Sequence, residues 1–287
     1  MTETLILIGF GEAGAAFARP GVTAFDRKTD VSATRAAKLA DYAAAGVAGA
    51  DSAAEAVAGA DLVLSLVTAD QALAAAEQCA PFLAPGAMFL DLNSVAPATK
   101  RAAARIVTAA GAHYVDVAVM APVLPARLAV PLLVAGEQAD AAAARLRAYG
   151  FGTVAIAGPS VGDASSIKMI RSAMVKGIEA LTAECLLAAH RAGVTDAVLA
   201  SLAASSSPAD WSVQADYNLD RMLVHGLRRA AEMEEVARTL EDLGIDPAMT
   251  RGIIARQRAL GRLGIVPAAG LAAKLAQIDP PRAEEAA

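Results

Sequence analysis

The sequence predicts an α/β protein in which a mainly parallel sheet flanked by helices is followed by an all-helical domain. The first observation is that short β-rich runs alternate with alanine-rich helical stretches up to residue 157. The second is that only helical periodicity remains after Gly158-Pro159. The third is a glycine pattern that directly follows the first β-rich run. Together they predict two domains, at residues 1–160 and 161–287.

The predicted strands are short runs rich in β-branched, aromatic or other apolar residues, with turn signals between them. They lie at Leu5–Gly9, Val22–Asp26, Leu62–Val67, Met88–Leu92, His113–Val117, Leu132–Ala135 and Thr153–Ile156.

The predicted helical domain begins with one long helix at Ser165–Arg191, which joins the two domains and ends at Gly193. Further helices are predicted at Asp196–Ser205, Asp216–Leu223, Arg228–Leu243, Pro247–Leu263 and Pro267–Gln277.

The first predicted strand continues into the pattern Gly-x-Gly-x-x-Gly at residues 9–14. Gly9 suits a tight turn, Gly11 lets the backbone approach a pyrophosphate, and Gly14 lets the following helix pack closely on the strand. This context predicts a Rossmann-type dinucleotide-binding domain. The cofactor-binding loop is then formed by Gly9, Phe10, Gly11, Glu12 and Ala13.

An acidic residue, Asp26, stands at the end of the second predicted strand. A carboxylate at this position accepts hydrogen bonds from the adenosine ribose, so it favours NAD over NADP, whose 2′-phosphate would meet a like charge. The neighbouring Arg27 could bind that phosphate, and NADP therefore stays open as the alternative cofactor.

The composition indicates a small-molecule partner. The 25 basic and 30 acidic residues are intermixed and give a net charge of −5, which offers no basic surface for nucleic acid or an anionic membrane. No uncharged apolar run reaches the length of about 18 residues that a membrane-spanning helix needs. With two cysteines and three histidines, no metal site is predicted. Cys79 and Cys185 are expected to be buried thiols in a reducing cytoplasm.

The long helix places Lys168, Ser172, Lys176 and Glu179 along one stripe. A lysine near the start of an inter-domain helix can project into the cleft where a cofactor ends. Burial and a positively charged nicotinamide would favour its neutral form, which can accept a hydroxyl proton. A solvated surface lysine fits the same spacing, so spacing alone leaves both interpretations open.

Three segments resemble the β-hydroxyacid dehydrogenase group, the superfamily of 6-phosphogluconate and 3-hydroxyisobutyrate dehydrogenases. The glycine loop resembles its Gly-Leu-Gly-x-Met-Gly start, residues 91–94 resemble its Asp-x-Ser-Thr segment, and residues 161–172 fall at its Gly-x-Gly-x-x-x-Lys-x-x-x-Asn signature. The resemblance implies that Lys168 is the catalytic residue and that Ser94 approaches the nicotinamide ribose and the substrate. It also implies cofactor contacts from Leu66, Val67 and Gln71.

The chain departs from that group in its substrate-binding segments. Ala164 replaces the second glycine of the signature, and Ser172 replaces its asparagine with a shorter hydroxyl. The expected Ser-Gly-Gly segment is Met120-Ala121-Pro122, a more apolar wall without an N–H group at Pro122. These residues are predicted to line the substrate site, but the substrate of the best-known members does not carry over.

Residues 225–235 resemble a less characterised branch with a distinct helical C-terminal domain. Arg228 and Arg229 are predicted to stand at the start of a helix. The positive end of the helix dipole disfavours cations there, so two arginines at this point indicate that they bind an anion, such as a substrate carboxylate. The alternative is that both arginines lie on the surface and pair with Glu232, which follows them by four and three residues. His225 is predicted to line the same substrate cleft.

The expected function is NAD(P)-dependent hydride transfer between the nicotinamide and the hydroxyl carbon of a small β-hydroxy acid or sugar-acid-like substrate, with lysine as general acid and base. An imine reductase is an alternative, although such enzymes commonly carry Asp or Tyr where this chain has lysine. An NAD(H)-sensing protein without catalysis is another. The resemblance further implies a homodimer.

Overall fold

The computed structural model describes residues 4–205, 211–244 and 246–279. The chain packs as two compact units, and the division falls between Ile170 and Arg171. The functional division predicted between residues 160 and 161 stays a prediction.

The first unit contains, within its described residues, one eight-stranded sheet that is parallel except for one pair. Its strands are β1 (Leu5–Ile8), β2 (Thr23–Phe25), β3 (Ala48–Gly49), β4 (Leu62–Ser65), β5 (Met88–Asp91), β6 (His113–Val119), β7 (Leu132–Ala135) and β8 (Val154–Gly158). Their order across the sheet is β3-β2-β1-β4-β5-β6-β7-β8, and only β6 and β7 pair antiparallel. The predicted mainly parallel sheet is confirmed.

The alternation of side chains along each strand explains why both faces of this sheet are covered. Ile6 and Val63 belong to one buried apolar cluster, whereas their neighbours Leu7 and Leu64 belong to a second cluster. The helices of the first unit are α1 (Glu12–Phe17), α2 (Ser32–Ala45), α3 (Ala53–Val57), α4 (Ala72–Cys79), α5 (Pro97–Ala109) and α6 (Ala139–Tyr149). The strand order reverses beside β1, which places the glycine loop at the edge where ligands of such sheets bind.

The sequence did not predict β3, which consists only of Ala48 and Gly49. Two small residues carry no strand periodicity, so tertiary pairing with β2 produces this strand. Gly49 fits there because a Cβ atom at this position would lie 2.7 Å from the ring of Tyr42.

The second unit is helical throughout the regular structure that is described. A long helix, α7 (Asp163–Arg191), begins in the first unit and continues into the second, as predicted. It is followed by α8 (Thr195–Ser205), α9 (Trp211–Asp242), α10 (Ala248–Gly261) and α11 (Leu271–Ile278).

The prediction of separate helices at Asp216–Leu223 and Arg228–Leu243 is wrong, because α9 runs through both without a break. Gly226 lies inside α9 and packs on α10, where an added Cβ would come within 2.9 Å of the Gly261 α-carbon. The glycine therefore allows two helices to approach closely instead of ending one.

Two further observations concern the predictions from composition. No helix among the described residues is long and apolar enough to cross a membrane. Cys79 is buried as predicted, and burial raises the pKa of its thiol to about 12. The prediction for Cys185 is wrong, because this residue is exposed on α7.

Candidate dinucleotide site and its lysine

The glycine loop between β1 and α1 has one open position between two crowded ones. Gly9 has a φ of +94°, and an added Cβ would lie 2.6 Å from the backbone oxygen of Leu66. At Gly14 an added Cβ would lie 2.5 Å from the oxygen of Gly9. At Gly11 it would meet nothing within 4 Å. The loop is thus packed where it must turn and open where a pyrophosphate would approach, which fits a dinucleotide.

The Asp26 carboxylate is bound to the backbone of this loop. Its Oδ2 atom accepts a hydrogen bond from the Phe10 N–H at 2.7 Å, and its Oδ1 atom accepts one from the Lys28 N–H at 2.9 Å. Each carboxylate oxygen has a further lone pair, so both retain the capacity to accept a ribose hydroxyl. The guanidinium of Arg27, which is exposed, donates to the side chain of Gln71, so two predicted cofactor residues contact each other.

A buried lysine that the sequence did not single out supports the same loop. Lys38 on α2 donates from Nζ to the Phe10 carbonyl oxygen at 2.7 Å and pairs with Asp41 at 2.7 Å. The Phe10 ring is buried edge-on against Tyr42, with 4.9 Å between ring centroids. Burial, and then the charge of Asp26, raise the pKa of the Tyr42 hydroxyl. The two peptide groups flanking Phe10 are therefore held, one by a carboxylate and the other by an ammonium.

The remaining predicted cofactor residues of the first unit lie around the loop. Leu66 is buried and Val67 half-buried at the end of β4, where Leu66 presents its backbone oxygen to Gly9. Glu12 is exposed and Ala13 half-buried at the start of α1.

Lys168 and Ser94 come together although 74 positions separate them in the chain. Ser94 follows β5, and Lys168 lies in the second turn of α7, within the first unit. The Lys168 ammonium donates a hydrogen bond to the Ser94 hydroxyl oxygen, and both residues are half-buried. The structure thus brings together the residue predicted to be catalytic and the one predicted to approach the nicotinamide ribose.

Asn93 lies beside this pair and was missed as a candidate. Its side-chain amide donates to the Ser65 hydroxyl at 2.9 Å, while its Oδ1 atom is buried and accepts no hydrogen bond within the described residues. A buried acceptor without a donor is costly, so this atom fits a ligand that brings a hydroxyl or an amide N–H. An asparagine in the segment Asp-x-Asn-Ser was the signal that could have found it.

The predicted apolar wall Met120-Ala121-Pro122 directly follows β6. Met120 is half-buried and its backbone N–H donates to the Pro131 oxygen at 2.9 Å, whereas Ala121 and Pro122 are exposed.

The other predicted substrate residues belong to the second unit. Ser172 is buried on α7 and His225 is half-buried on α9. Arg228 and Arg229 lie in the middle of α9, so the prediction that they stand at a helix start is wrong. The dipole argument for an anion at that point therefore does not apply.

Both arginines have carboxylate partners within the second unit. Arg228 is exposed and pairs with Glu232 one turn later, and Glu232 also pairs with the buried Lys176 at 2.6 Å. Arg229 is buried and pairs with Glu179. Burial lowers the pKa of Lys176, and the charge of Glu232 opposes this shift. Of the predicted stripe on α7, Lys168 therefore contacts Ser94 in the first unit, whereas Lys176 and Glu179 form ion pairs in the second unit.

Among the described residues, no group of three or more histidine, cysteine, aspartate or glutamate side chains is arranged to hold a metal ion.

The fold and the loop geometry define a Rossmann-type dinucleotide-binding protein with a helical C-terminal unit. Residues 4–183 match the NAD-binding domain of 6-phosphogluconate dehydrogenase, and the chain belongs to this family of NAD(P)-binding oxidoreductases. Residues 189–260 match a domain of unknown function, DUF1932. The resemblance stated from the sequence, including its less characterised branch, is confirmed.

Three solved structures illustrate the relationship. A conserved hypothetical protein from Sinorhizobium meliloti 1021 is 38% identical with a TM-score of 0.72, and the match covers 97% of this chain and 96% of that one. The conserved protein MTH1747, of unknown function and described as similar in structure to 3-hydroxyacid dehydrogenases, is 30% identical with a TM-score of 0.68, covering 91% and 98%. Mycobacterium tuberculosis 3-hydroxyisobutyrate dehydrogenase with L-serine shares the fold, at 19% identity, a TM-score of 0.70 and coverage of 99% and 100%. The curated proteins that were compared contain no match.

Proposed function

We propose that the protein transfers a hydride between NAD(P) and the hydroxyl carbon of a small β-hydroxy acid or sugar-acid-like substrate. The observation that carries this proposal is the hydrogen bond from Lys168 to Ser94 in the same unit as the open glycine loop. A lysine held at a fixed position beside a hydroxyl is suited to general acid and base catalysis.

The cofactor is held, in this proposal, by the loop from Gly9 to Ala13, by Asp26 and Arg27, and by residues at the ends of the next strands. Those further residues are Leu66, Val67, Gln71 and Ser94. Asp26 favours NAD, because its carboxylate can accept the ribose hydroxyls and would repel a 2′-phosphate. Arg27 is the residue that would accommodate NADP.

When bound, the nicotinamide ring supplies the acceptor or donor of the hydride. During oxidation Lys168 must be the neutral amine, which takes the proton of the substrate hydroxyl and becomes the ammonium; during reduction the ammonium returns that proton. The Ser94 hydroxyl, which accepts from Lys168, keeps the ammonium oriented and adds a donor for the substrate oxygen. Holding these groups in place before the substrate arrives lowers the entropic part of the barrier.

The substrate, we infer, contacts Met120, Ala121 and Pro122 on an apolar side. Ser172, His225, Arg228 and Arg229 remain predicted substrate residues, and Arg229 would first have to exchange its pairing with Glu179. A homodimer in the cytoplasm is the proposed state of the protein.

The test is a spectrophotometric screen of hydroxy acids and aldonic acids with NAD and NADP in parallel, with cyclic imines screened in the reductive direction. We expect turnover with at least one hydroxy acid and its loss in the Lys168→Ala variant, which should bind NADH as tightly as the wild-type protein. Turnover of imines alone would replace the proposal with an imine reductase. Tight NADH binding without turnover of any compound would favour the sensing protein. A Lys168→Ala variant with full turnover would exclude the lysine mechanism.

A further inference from the structure

A second lysine, Lys100 on α5, is fully buried between two carboxylates of the first unit. Its Nζ atom lies 3.0 Å from Asp91 Oδ1 and 3.4 Å from Asp116 Oδ1. The same ammonium donates to the backbone oxygen of Asp91 at 2.5 Å and lies 3.5 Å from that of Val117. One side chain thus binds the end of β5 and the middle of β6.

The first carboxylate shapes the chain that leads to Ser94. Asp91 Oδ1 accepts the backbone N–H of Asn93 at 2.9 Å, and its Oδ2 accepts the Tyr114 hydroxyl at 2.6 Å. Burial, and then the charge of Asp91, raise the pKa of the Tyr114 hydroxyl, which therefore remains a donor. The position of Ser94, three residues after Asp91, depends on this arrangement.

The second carboxylate holds the start of the helix that carries Lys168. Asp116 Oδ2 accepts the backbone N–H groups of Gly162 at 3.1 Å and Ser165 at 3.0 Å, and the Ser165 hydroxyl at 3.0 Å. These groups lie at the first turn of α7, one turn before Lys168. Asp116 therefore acts as a cap from another strand and holds the first turn of the helix.

We propose that Lys100 is a positioning residue that, through Asp91 and Asp116, holds Ser94 and Lys168 at hydrogen-bond distance. This inference rests on the proposed function, in which that pair performs the proton transfer. Burying an ammonium with two carboxylates carries a large desolvation cost, and replacing such a group as a whole with apolar residues is often no less stable, whereas removing the ammonium alone leaves two buried carboxylates unpaired. An apolar side chain could fill the same volume, but it could not bind both carboxylates at once.

The test is the Lys100→Met variant, measured by steady-state kinetics, NADH titration and amide hydrogen exchange. We expect kcat to fall about 100-fold, since a displacement of about 1 Å can cost that much. The Kd for NADH should change far less than kcat, because the glycine loop and Asp26 are left intact and Ser94 is only one of the proposed cofactor contacts. Exchange should become faster in the two segments at residues 91–95 and 162–168, with the remaining sheet and the second unit unchanged.

The matched control is Lys274→Met, which also removes a buried lysine paired with two carboxylates, Asp216 and Asp220, in the second unit. It should lower the Tm without changing kcat or exchange in those two segments.

The double variant Lys100→Met/Asp116→Asn keeps the inference testable if Lys100→Met does not fold. It removes one positive and one negative charge, so the net charge of the buried cluster is the same as in the wild-type protein. It still lacks the ammonium that joins the two strands. We expect its kcat to remain low. Wild-type kcat and exchange in either folded variant, or exchange that rises uniformly over the first unit, would overturn the proposal. If the wild-type protein turns over no substrate, the proposed function fails, while hydrogen exchange still decides the role of Lys100.

Discussion

The Gly9→Ala substitution tests whether the glycine loop is packed as the structure shows. An alanine there would have to adopt a φ of +94° and would bring its Cβ to 2.6 Å from the Leu66 oxygen, a backbone atom that cannot rotate away. The left-handed backbone costs about 1–2 kcal/mol. The forced displacement of a packed strand adds about 1–3 kcal/mol.

The free energy of unfolding should therefore fall by about 2–5 kcal/mol, which lowers the Tm by about 5–15 °C for a unit of this size. Thermal unfolding followed by circular dichroism measures this change. A Gly9→Ala variant with the wild-type Tm would refute the close contact between this loop and β4.

Gly11→Ala is the matched control from the same loop. Its Cβ would meet no atom within 4 Å, and its φ of −90° suits any residue. The Tm should change by less than about 2 °C, as for most substitutions without a steric cause. The Kd for NADH, measured by fluorescence titration, should rise at least about tenfold, because the methyl group occupies the space through which the backbone would approach a pyrophosphate. Wild-type NADH binding would show that the pyrophosphate does not lie there.

Three further predictions follow from other parts of the chain. Asp26→Asn should shift the ratio of the NADH and NADPH dissociation constants about tenfold toward NADPH, because it removes a like charge beside the 2′-phosphate while Arg27 remains; an unchanged ratio in fluorescence titrations would contradict this. Burial raises the pKa of the Tyr149 hydroxyl to about 12. The neutral hydroxyl therefore contributes to the free energy of unfolding fully below its ordinary pKa near 10, and this contribution is lost as the pH rises through about 12. Tyr149→Phe should flatten the alkaline decline in chemical unfolding experiments over that interval, at the cost of the hydrogen bond to Phe17. Leu181 is 58% exposed on α7, and an exposed apolar side chain of this size is expected at an interface. Leu181→Glu should therefore convert the proposed homodimer to a monomer, which light scattering measures. A variant that stays dimeric would place the interface elsewhere.

The parallel sheet and its glycine loop could be predicted because their causes are local. Apolar runs such as Leu62–Ser65 are buried on both faces, and a strand of this kind leaves a continuous apolar signal in the sequence. The hydrogen bond between Lys168 and Ser94 is not local and was not predicted; the resemblance implied only that Lys168 is catalytic and that Ser94 approaches the nicotinamide ribose. The predicted gap between Leu223 and Arg228 contains Gly226, and a glycine can either end a helix or let two helices approach closely. Only the close approach of Gly226 to Gly261 shows which of these uses applies here.

Lys38 and Lys100 could not be predicted from the sequence for one physical reason. A lysine in an alanine-rich helix is normally solvated, and nothing in the local pattern shows that these two point inward. Lys38 points toward the glycine loop, and Lys100 toward the end of β5 and the middle of β6, where each donates to backbone carbonyl oxygens. Lys38 supplies a donor to Phe10, and Lys100 supplies one to Asp91. The edge that presents the candidate site is thus held by two buried ammonium groups, and the residues that face a ligand can be few because others fix their positions.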